Sequence, residues 1–156
     1  MTPVSLSQLA GSVDGQLIGA DHLISGFSTD TRTVAEGDVF FCLRGDNFDG
    51  HDFVQQAIDS GAQAIICDKK QLIDVSQLVV SDTRRAFGYF ALLWRQQFTG
   101  PVIGVTGSNG KTTVKQLLAS ILSQAGEVHA TRANDNNEIG VPQTCLLYTS
   151  PSPRDS

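Results

Sequence analysis

The chain has 156 residues, of which 40% are hydrophobic and 17% charged, with a formal net charge of −5 at pH 7. This composition is typical of a globular protein and excludes disordered and fibrous classes. The net acidity argues against general binding to nucleic acid or an anionic membrane, so an anionic ligand would need a local basic site.

The first half of the chain predicts a small mixed α/β unit. Residues 4–10 favour a short opening helix, and the helical spacing of apolar residues at 53–58 predicts a second helix that ends at Gly61. Apolar runs typical of buried or half-buried strands occur at residues 23–27, 38–43, 64–67 and 77–80.

Residues 83–98 predict an amphipathic helix. Asp82 provides an N-cap, and the Thr99-Gly100-Pro101 sequence ends the helix and predicts a hinge. One apolar face is expected to be formed by Ala86, Phe87, Phe90, Leu93, Trp94 and Gln97.

A second α/β unit is predicted from residue 101 onward. The run "PVIGVT", residues 101–106, is typical of a buried parallel strand. Apolar residues at helical spacing after Lys111 predict a helix closed by Gly126, and "EVHAT", residues 127–131, predicts a further strand. Together these segments predict a βαβ unit.

The loop inside this unit, residues 107–113, reads "GSNGKTT". The first N–H groups of a helix and its dipole favour anions, and glycines let the backbone approach phosphate closely. Lys111 would bring positive charge to the outer phosphates, and Thr112 a hydroxyl suited to Mg²⁺. Val105 stands where the general P-loop has glycine, so the match is to a shorter Gly-x-x-Gly-Lys-Thr pattern. The alternative is a structural turn with Lys111 in solvent.

This loop predicts a site for ATP and Mg²⁺. Lys111 and Thr112 are the predicted catalytic residues, and Thr112 is the predicted metal ligand. The residues expected to line the phosphates are Gly107, Ser108, Asn109, Gly110, Lys111, Thr112 and Thr113.

Cysteine and histidine residues give no further site. Cys42, Cys67 and Cys145 match no metal-ligand spacing, and the first two lie in apolar runs typical of buried free thiols. A capping or structural role is favoured for His51 over catalysis. His22 and His129 have no partner that the sequence identifies. There is no apolar run of transmembrane length and no signal-peptide pattern, so a cytoplasmic location is expected.

Three stretches resemble the ATP-dependent Mur ligases of bacterial cell-wall synthesis. Residues 106–113, "TGSNGKTT", are similar to the short P-loop of that family. Residues 28–53 resemble its N-terminal substrate-binding domain, and "NDNNEIGVP", residues 134–142, resembles its asparagine-rich loop. The resemblance covers residues 1 to about 144, and it is strong because the three motifs occur in the right order. The asparagine-rich pattern is most similar to that of the members that add a D-alanyl-D-alanine dipeptide.

The resemblance implies a ligase reaction. The γ-phosphate of MgATP passes to the free carboxylate of UDP-MurNAc-tripeptide, and the amine of D-Ala-D-Ala attacks the acyl phosphate to form an amide. Two anionic reactants must then be brought together by charge neutralisation and positioning. The alternatives are a non-catalytic module that binds a UDP-sugar or nucleotide, another Mur ligase, or a folylpolyglutamate-type ligase. A monomer with no nucleic-acid or membrane partner is expected.

Candidate substrate-binding residues follow predicted strands or lie in the asparagine-rich loop. Arg32 or Arg44 would meet the diphosphate of UDP. The alternative for residues 28–31 is that they only cap a turn, and the loop asparagines are likewise good turn formers. The complete set is Ser28, Thr29, Asp30, Thr31, Arg32, Arg44, Asn136 and Asn137.

The predicted fold class is α/β, with a small mixed N-terminal domain followed by the start of a parallel-sheet P-loop domain. The predicted boundaries are 1–82 for UDP-substrate binding, 83–100 for the connecting helix and hinge, 101–144 for the truncated ATP-binding domain, and 145–156 for a non-native tail. The tail, "CLLYTSPSPRDS", resembles a translated transposon-type sequencing adapter, and its prolines oppose a helix. The alternative is a genuine disordered terminus. An unpaired sheet edge, an exposed apolar helix face and no ligase activity from the 156-residue chain are expected.

Overall fold

The structure, a computed structural model, describes residues 3–131 and 137–149, with side chains described as far as residue 146. Within these ranges the chain forms seven strands and five α-helices. The strands are β1 (Val4–Ser5), β2 (Gln16–Ile18), β3 (Leu23–Ile24), β4 (Phe27–Ser28), β5 (Val39–Phe41), β6 (Ala64–Cys67) and β7 (Ser76–Val79). The helices are α1 (Leu6–Val13), α2 (Val54–Asp59), α3 (Thr83–Arg95), α4 (Lys111–Leu122) and α5 (Gly140–Thr149).

Five of the strands form one sheet in the order β2-β7-β6-β5-β4. Strands β4 to β7 are parallel, and β2 pairs with β7 in the antiparallel direction. Strands β1 and β3 form a separate two-stranded antiparallel sheet. Because β4 to β7 run in one direction, the loops that follow them leave from the same edge of the sheet.

The side chains of the sheet alternate between two apolar cores, as the period of a strand requires. Phe41 and Ile66 face the larger core, which also contains buried residues of α1, α3 and α5. Phe40 and Ile65 face the smaller core, to which α2 contributes Val54. Helices therefore cover both faces of a mostly parallel sheet, which confirms the mixed α/β prediction.

Helix α3 has the N-cap and the apolar face that the sequence predicts. Asp82 Oδ1 accepts hydrogen bonds from the N–H groups of Arg84 and Arg85 at 2.9 and 3.0 Å. The rings of Phe41 and Phe87 lie 5.0 Å apart in an edge-to-face arrangement, so the helix packs on the sheet through aromatic contacts. Gln97, which was also placed on this face, comes after the end of the helix.

Two segments near the N-terminus differ from the prediction. Val4 pairs with Ile24 as a strand, and α1 begins only after Ser5, whose hydroxyl accepts from the N–H of Gln8 in a capping box. The predicted strand at residues 23–27 is two strands, because Ile24 pairs with β1 whereas Phe27 pairs with Val39 of the main sheet.

The second half of the chain contains the predicted helix, α4, but neither predicted strand. Residues 101–106 and 127–131 form no ladder with any other described segment, so both strand predictions are wrong. A strand persists only when its N–H and C=O groups pair with a neighbour. Leu117 and Ile121 of α4 are 59% and 63% exposed, which confirms the expected exposed apolar helix face.

Helix α5 contradicts two expectations. It begins at Gly140, so Val141 and Pro142, the last residues of the predicted asparagine-rich loop at 134–142, lie in the first turn of a helix, where proline is tolerated. It also continues to Thr149, and Leu146 is 1% exposed in the larger core. The prolines of the tail predict no helix there, and residues 145–149 contradict that expectation, whereas the non-native origin of residues 145–156 stays a prediction. Residues 150–156 lie outside the described residues.

The cysteines agree with the sequence prediction for the described part of the chain. Cys42 and Cys67 are buried free thiols, and Cys145 is partly buried. Burial raises the pKa of the Cys67 thiol to about 11 and raises the pKa of Cys42 as well. None of the described helices combines the length and apolarity that a membrane span requires. No group of three His, Cys, Asp or Glu residues suited to a metal ion occurs among the described residues.

Candidate functional site

Most of the predicted substrate residues lie at one edge of the main sheet. Residues 29–33 follow β4, Arg44 comes shortly after β5, Asp68 follows β6, and Asp82 comes shortly after β7. These four strands are parallel, so the segments leave from their shared carboxyl edge. Open parallel sheets bind ligands at this edge.

The segment after β4 is a tightly hydrogen-bonded turn. Ser28 is 3% exposed, and its hydroxyl donates to the backbone oxygen of Asp30 at 2.7 Å. The Asp30 side chain caps the 3-10 turn Thr31–Thr33 by accepting from the N–H of Arg32 at 3.0 Å. Thr29 and Thr31 are half-buried in the same turn. The turn-capping role therefore accounts for the observed bonds of Ser28 and Asp30.

Arg32 is exposed at the surface and paired with its neighbour. Its Nε donates to Asp30 Oδ1 at 2.9 Å, and Nη2 also contacts the Asp30 carboxylate. These side-chain bonds, followed by the backbone bond from Arg32, lower the pKa of Asp30 to about 2. The positive charge of Arg32 is thus already matched by an ionised carboxylate.

Arg44 belongs to a cluster of charged residues that joins the loops after β5 and β6. Its Nε donates to Asp49 Oδ2 at 2.8 Å, and its Nη2 donates to Asp68 Oδ1 at 3.0 Å. Its backbone oxygen accepts a hydrogen bond from Arg84 Nη2 at 2.5 Å. The predicted residue Arg44 is therefore held between two carboxylates, with Arg84 beside it.

His51 is a member of this cluster that the sequence did not assign to a site. Its side chain is 9% exposed, and Nδ1 lies 2.5 Å from Asp49 Oδ1. Nε2 lies 3.1 Å from both the backbone nitrogen and Oδ1 of Asp68, so the ring joins the loops after β5 and β6. The favoured structural role agrees with these contacts. The bond to Asp68 spans 17 residues, so no local pattern predicts it.

The electrostatics of this cluster depend on donors to Asp49. Burial acts to raise the pKa of the Asp49 carboxyl, but the hydrogen bond from Arg44 and those from the backbone and ring of His51 outweigh burial. The pKa of Asp49 consequently lies well below the usual carboxyl value. Asp49 is therefore an ionised anchor for its loop.

The glycine loop lies directly before α4 and is open to solvent. Gly107 and Gly110 have φ of 148° and 77°, values that favour glycine, and no other atom lies within 4 Å of a Cβ built on Gly110. Lys111 Nζ turns back toward the backbone oxygens of Gly107 and Ser108. Most residues of the loop and of the first turn of α4 are exposed.

The chemistry of this loop fits a phosphate group and a magnesium ion. The N–H of Val114 donates to Gly110 at 2.9 Å, so the amides of residues 111–113 precede the first helical hydrogen bond. Such amides, with an ammonium group beside them, suit phosphate oxygens. The exposed hydroxyl of Thr112 in the first turn suits a hard cation that prefers oxygen.

The asparagine-rich loop is only partly described. Asn136 lies outside the described residues. Asn137 Oδ1 accepts from the N–H groups of Ile139 and Gly140 at 3.1 and 2.7 Å, which caps the start of α5. Glu138 lines an open cleft of about 450 Å³ together with Arg84 and Arg85 of α3. The loop is therefore next to the carboxyl edge of the sheet, through the first turn of α3.

The two remaining histidines have neighbours that the sequence did not identify. His22 Nε2 lies 3.1 Å from Ser76 Oγ, and His129 Nε2 lies 3.3 Å from Glu127 Oε1. Both contacts are peripheral to the charged cluster and the glycine loop. Neither residue gains a role in a site from them.

Two family models match the chain and together include both regions described above. The model for "Mur ligase family, catalytic domain" matches residues 23–89, and the model for "Mur ligase middle domain" matches residues 105–150. The chain belongs to the Mur ligase family. This finding confirms the resemblance seen in the sequence, and the middle-domain match includes the whole of helix α5.

Individual Mur ligases support the same assignment. The chain is 53% identical to a UDP-N-acetylmuramoyl-tripeptide–D-alanyl-D-alanine ligase of Synechocystis sp. over 137 residues, 86% of this chain and 30% of the relative. A crystal structure of MurF from Acinetobacter baumannii superimposes with a TM-score of 0.81 at 38% identity, covering 93% of this chain and 33% of that one.

A further Mur ligase structure contains a nucleotide. A MurF ligase from Thermotoga maritima in complex with ADP is similar with a TM-score of 0.71 and 38% identity, over 78% of this chain and 28% of that one. In each comparison the chain spans only about a third of the length of the relative.

Proposed function

We propose that this chain carries the UDP-substrate-binding and ATP-binding parts of a ligase that joins D-Ala-D-Ala to UDP-MurNAc-tripeptide. The observation that supports the proposal most directly is the 53% identity to a ligase named for this reaction, over 86% of the chain. The reaction proceeds through an acyl phosphate on the tripeptide carboxylate. The complete activity belongs to a protein of the length of the relatives, and the 156-residue chain alone is expected to release no phosphate.

The glycine loop is the proposed nucleotide site. Lys111 neutralises the outer phosphates of ATP, and the amides of residues 108–113 hold phosphate oxygens at the start of α4. Mg²⁺, when bound, would offset the charge that develops on the transferred phosphoryl group, and the Thr112 hydroxyl would be the ligand that this chain supplies. The related structure with ADP supports a nucleotide ligand, because the chain is 38% identical to that protein.

The carboxyl edge of the main sheet is the proposed site of the UDP moiety. The turn at residues 28–32 and Arg44 both lie there, and Asn137 directly precedes Glu138, which lines the cleft beside this edge. Asn136 is proposed as a substrate contact from its sequence pattern alone. The reaction is proposed to take place in the cytoplasm, in a monomer without a nucleic-acid or membrane partner, which agrees with the net charge of −5.

The nucleotide site is tested by binding measurements on the chain itself. MgATP is titrated by calorimetry into the wild type, Lys111→Ala and Lys70→Ala, where Lys70 is an exposed lysine outside the loop. We expect Lys111→Ala to weaken MgATP binding by about tenfold or more, since a charge-assisted contact is lost. Lys70→Ala should bind as the wild type does. Equal affinities for all three proteins would contradict a working phosphate loop.

A parallel titration with UDP separates the ligase from the non-catalytic alternative. A chain that binds both UDP and MgATP, with only the latter sensitive to Lys111→Ala, supports the ligase. Binding of UDP without any binding of MgATP would favour a non-catalytic UDP-sugar module.

A further inference from the structure

Three arginines lie at or near the carboxyl edge of the sheet, and they differ in how far their charge is neutralised. Arg32 is paired with Asp30, and Arg44 is paired with both Asp49 and Asp68. Arg84, in contrast, has no ion pair among the described residues, and its side chain donates to a backbone oxygen, that of Arg44. An arginine that already faces two carboxylates attracts an added anion less than one that faces none.

Hydrogen bonds hold Arg84 both at its backbone and at its guanidinium group. Its backbone N–H is bound by the Asp82 cap at 2.9 Å, and Nη2 donates to the oxygen of Arg44 at 2.5 Å. A guanidinium has five N–H donors, so this single bond leaves others for a ligand. The side chain therefore reaches the loop after β5 while its charge remains available.

The space beside Arg84 has the size of a ligand site. The open cleft of about 450 Å³ is lined by Arg84, Arg85, Tyr89 and Leu92 of α3. The Arg85 guanidinium lies 5.5 Å from the centre of the Tyr89 ring, which holds it along the same wall. Clefts of this volume are typical of sites for small molecules.

Two carboxylates also line the cleft and must be weighed against these arginines. Asp82 Oδ1 is occupied by two backbone N–H groups of α3, so its charge serves the start of that helix. Glu138 is exposed and comes from the turn before α5. The cleft therefore contains two guanidinium groups from α3 and two carboxylates, and neither carboxylate forms an ion pair with Arg84 among the described residues.

We propose that Arg84 binds the diphosphate of the UDP-containing substrate, in the cleft between α3 and the turn before α5. Arg44 then acts mainly as a member of the charged cluster, and its backbone oxygen orients Arg84. This inference rests on the proposed function, because it assumes a UDP-containing substrate. The sequence suggests Arg32 or Arg44 as the residue that contacts the diphosphate, whereas the structure favours Arg84.

The test compares two probes that differ only in the diphosphate. UDP and uridine are titrated into the wild type, Arg84→Gln and Arg95→Gln. Arg95 is a matched control, because it lies in the same helix and likewise donates to a backbone oxygen, that of Phe98 at 3.0 Å. We expect Arg84→Gln to weaken UDP binding by about tenfold or more and to leave uridine binding unchanged. Arg95→Gln should change neither.

Arg84→Lys controls for a loss of UDP binding caused only by structural change. It keeps the positive charge but lacks the planar guanidinium group. It should bind UDP with an affinity between those of the wild type and Arg84→Gln. If Arg84→Gln binds UDP as tightly as the wild type, or if UDP and uridine are weakened equally, the proposal is overturned. If the wild type binds no UDP while Lys111→Ala still lowers its MgATP affinity, the assignment of the UDP site fails and the nucleotide site stands.

Discussion

At the scale of single residues, the structure shows that charged side chains near the sheet edge are largely engaged with each other. Asp49 accepts from Arg44 and from both the backbone and ring of His51. The sequence identifies Arg44 as a cation, but it does not show that Asp68 neutralises it from 24 positions away. Residue type alone therefore overstates the charge that Arg44 offers to a ligand.

The ionised form of Asp49 is expected to stabilise the fold in a pH-dependent way. Its pKa is lower in the folded than in the unfolded chain, so its contribution is complete at neutral pH and is lost as the pH falls below about 4. Asp49→Asn should retain the turn cap but cost about 1 kcal/mol at neutral pH, allowing for the screening of a side chain that is 34% exposed.

Urea unfolding followed by the fluorescence of Trp94 measures this difference. The gap between the wild type and Asp49→Asn should shrink between about pH 5 and pH 2. Asp59→Asn is the control, because Asp59 is an exposed carboxylate that accepts a hydrogen bond from the side chain of Gln55. It should lower the free energy of unfolding by less than about 0.5 kcal/mol at neutral pH. A gap of constant size across this pH range would show that the charge of Asp49 does not stabilise the fold.

At the scale of elements, aromatic contacts between α3 and the main sheet fix the position of the first turn of that helix. Phe87 is fully buried, with ring centres 5.0 Å from Phe41 and 5.7 Å from Phe27. Because Asp82, Arg84 and Arg85 lie in that first turn, this packing also places the wall of the cleft. The apolar face of α3 was predictable, whereas the sheet residues it meets were not.

Truncation of Phe87 tests how much this contact stabilises the molecule. Phe87→Ala should lower the free energy of unfolding by about 3–5 kcal/mol, since it leaves a cavity between helix and sheet. Leu92→Ala, on the same helix but at a side chain that is 47% exposed, should cost less than about 1 kcal/mol. Urea titration at neutral pH measures both, and equal losses would contradict the packing described.

At the scale of the whole molecule, the two halves differ in how well their apolar residues are covered. The first half has helices on both faces of its sheet, whereas α4 has no buried residue. Leu117 is 59% exposed and Ile121 is 63% exposed, and Val102 and Ile103 are exposed as well. Apolar surface of this kind promotes association between molecules.

Self-association of the 156-residue chain is therefore expected to depend on α4. Ile121→Glu should shift the sedimentation profile toward the monomer at high protein concentration, because it places a charge among these apolar side chains. Gln116→Glu adds the same charge at another exposed position of α4 and should have a smaller effect. Equal shifts from the two variants would mean that net charge, rather than the apolar surface, controls association.

The sequence by itself determined the helices with strong periodicity, the N-cap of α3 and the glycine loop before α4. These features are local, since helical hydrogen bonds and cap contacts join residues close in the chain. It also predicted the short strand β6 correctly, because a continuous apolar run was bounded by turns. It failed at residues 101–106 and 127–131, where apolar composition alone does not supply a strand partner.

Only the tertiary structure decided which side chains meet at the sheet edge. Parallel strands bring together Arg44, Asp68 and Arg84 from separate segments, and the pairing of their charges decides which arginine remains available to an anion. Such pairing depends on distances of a few ångströms between residues that are far apart in the sequence. The sequence gives the charge of each residue but not these distances. The family was therefore evident from local motifs, but the choice of Arg84 as the phosphate-binding residue required the fold.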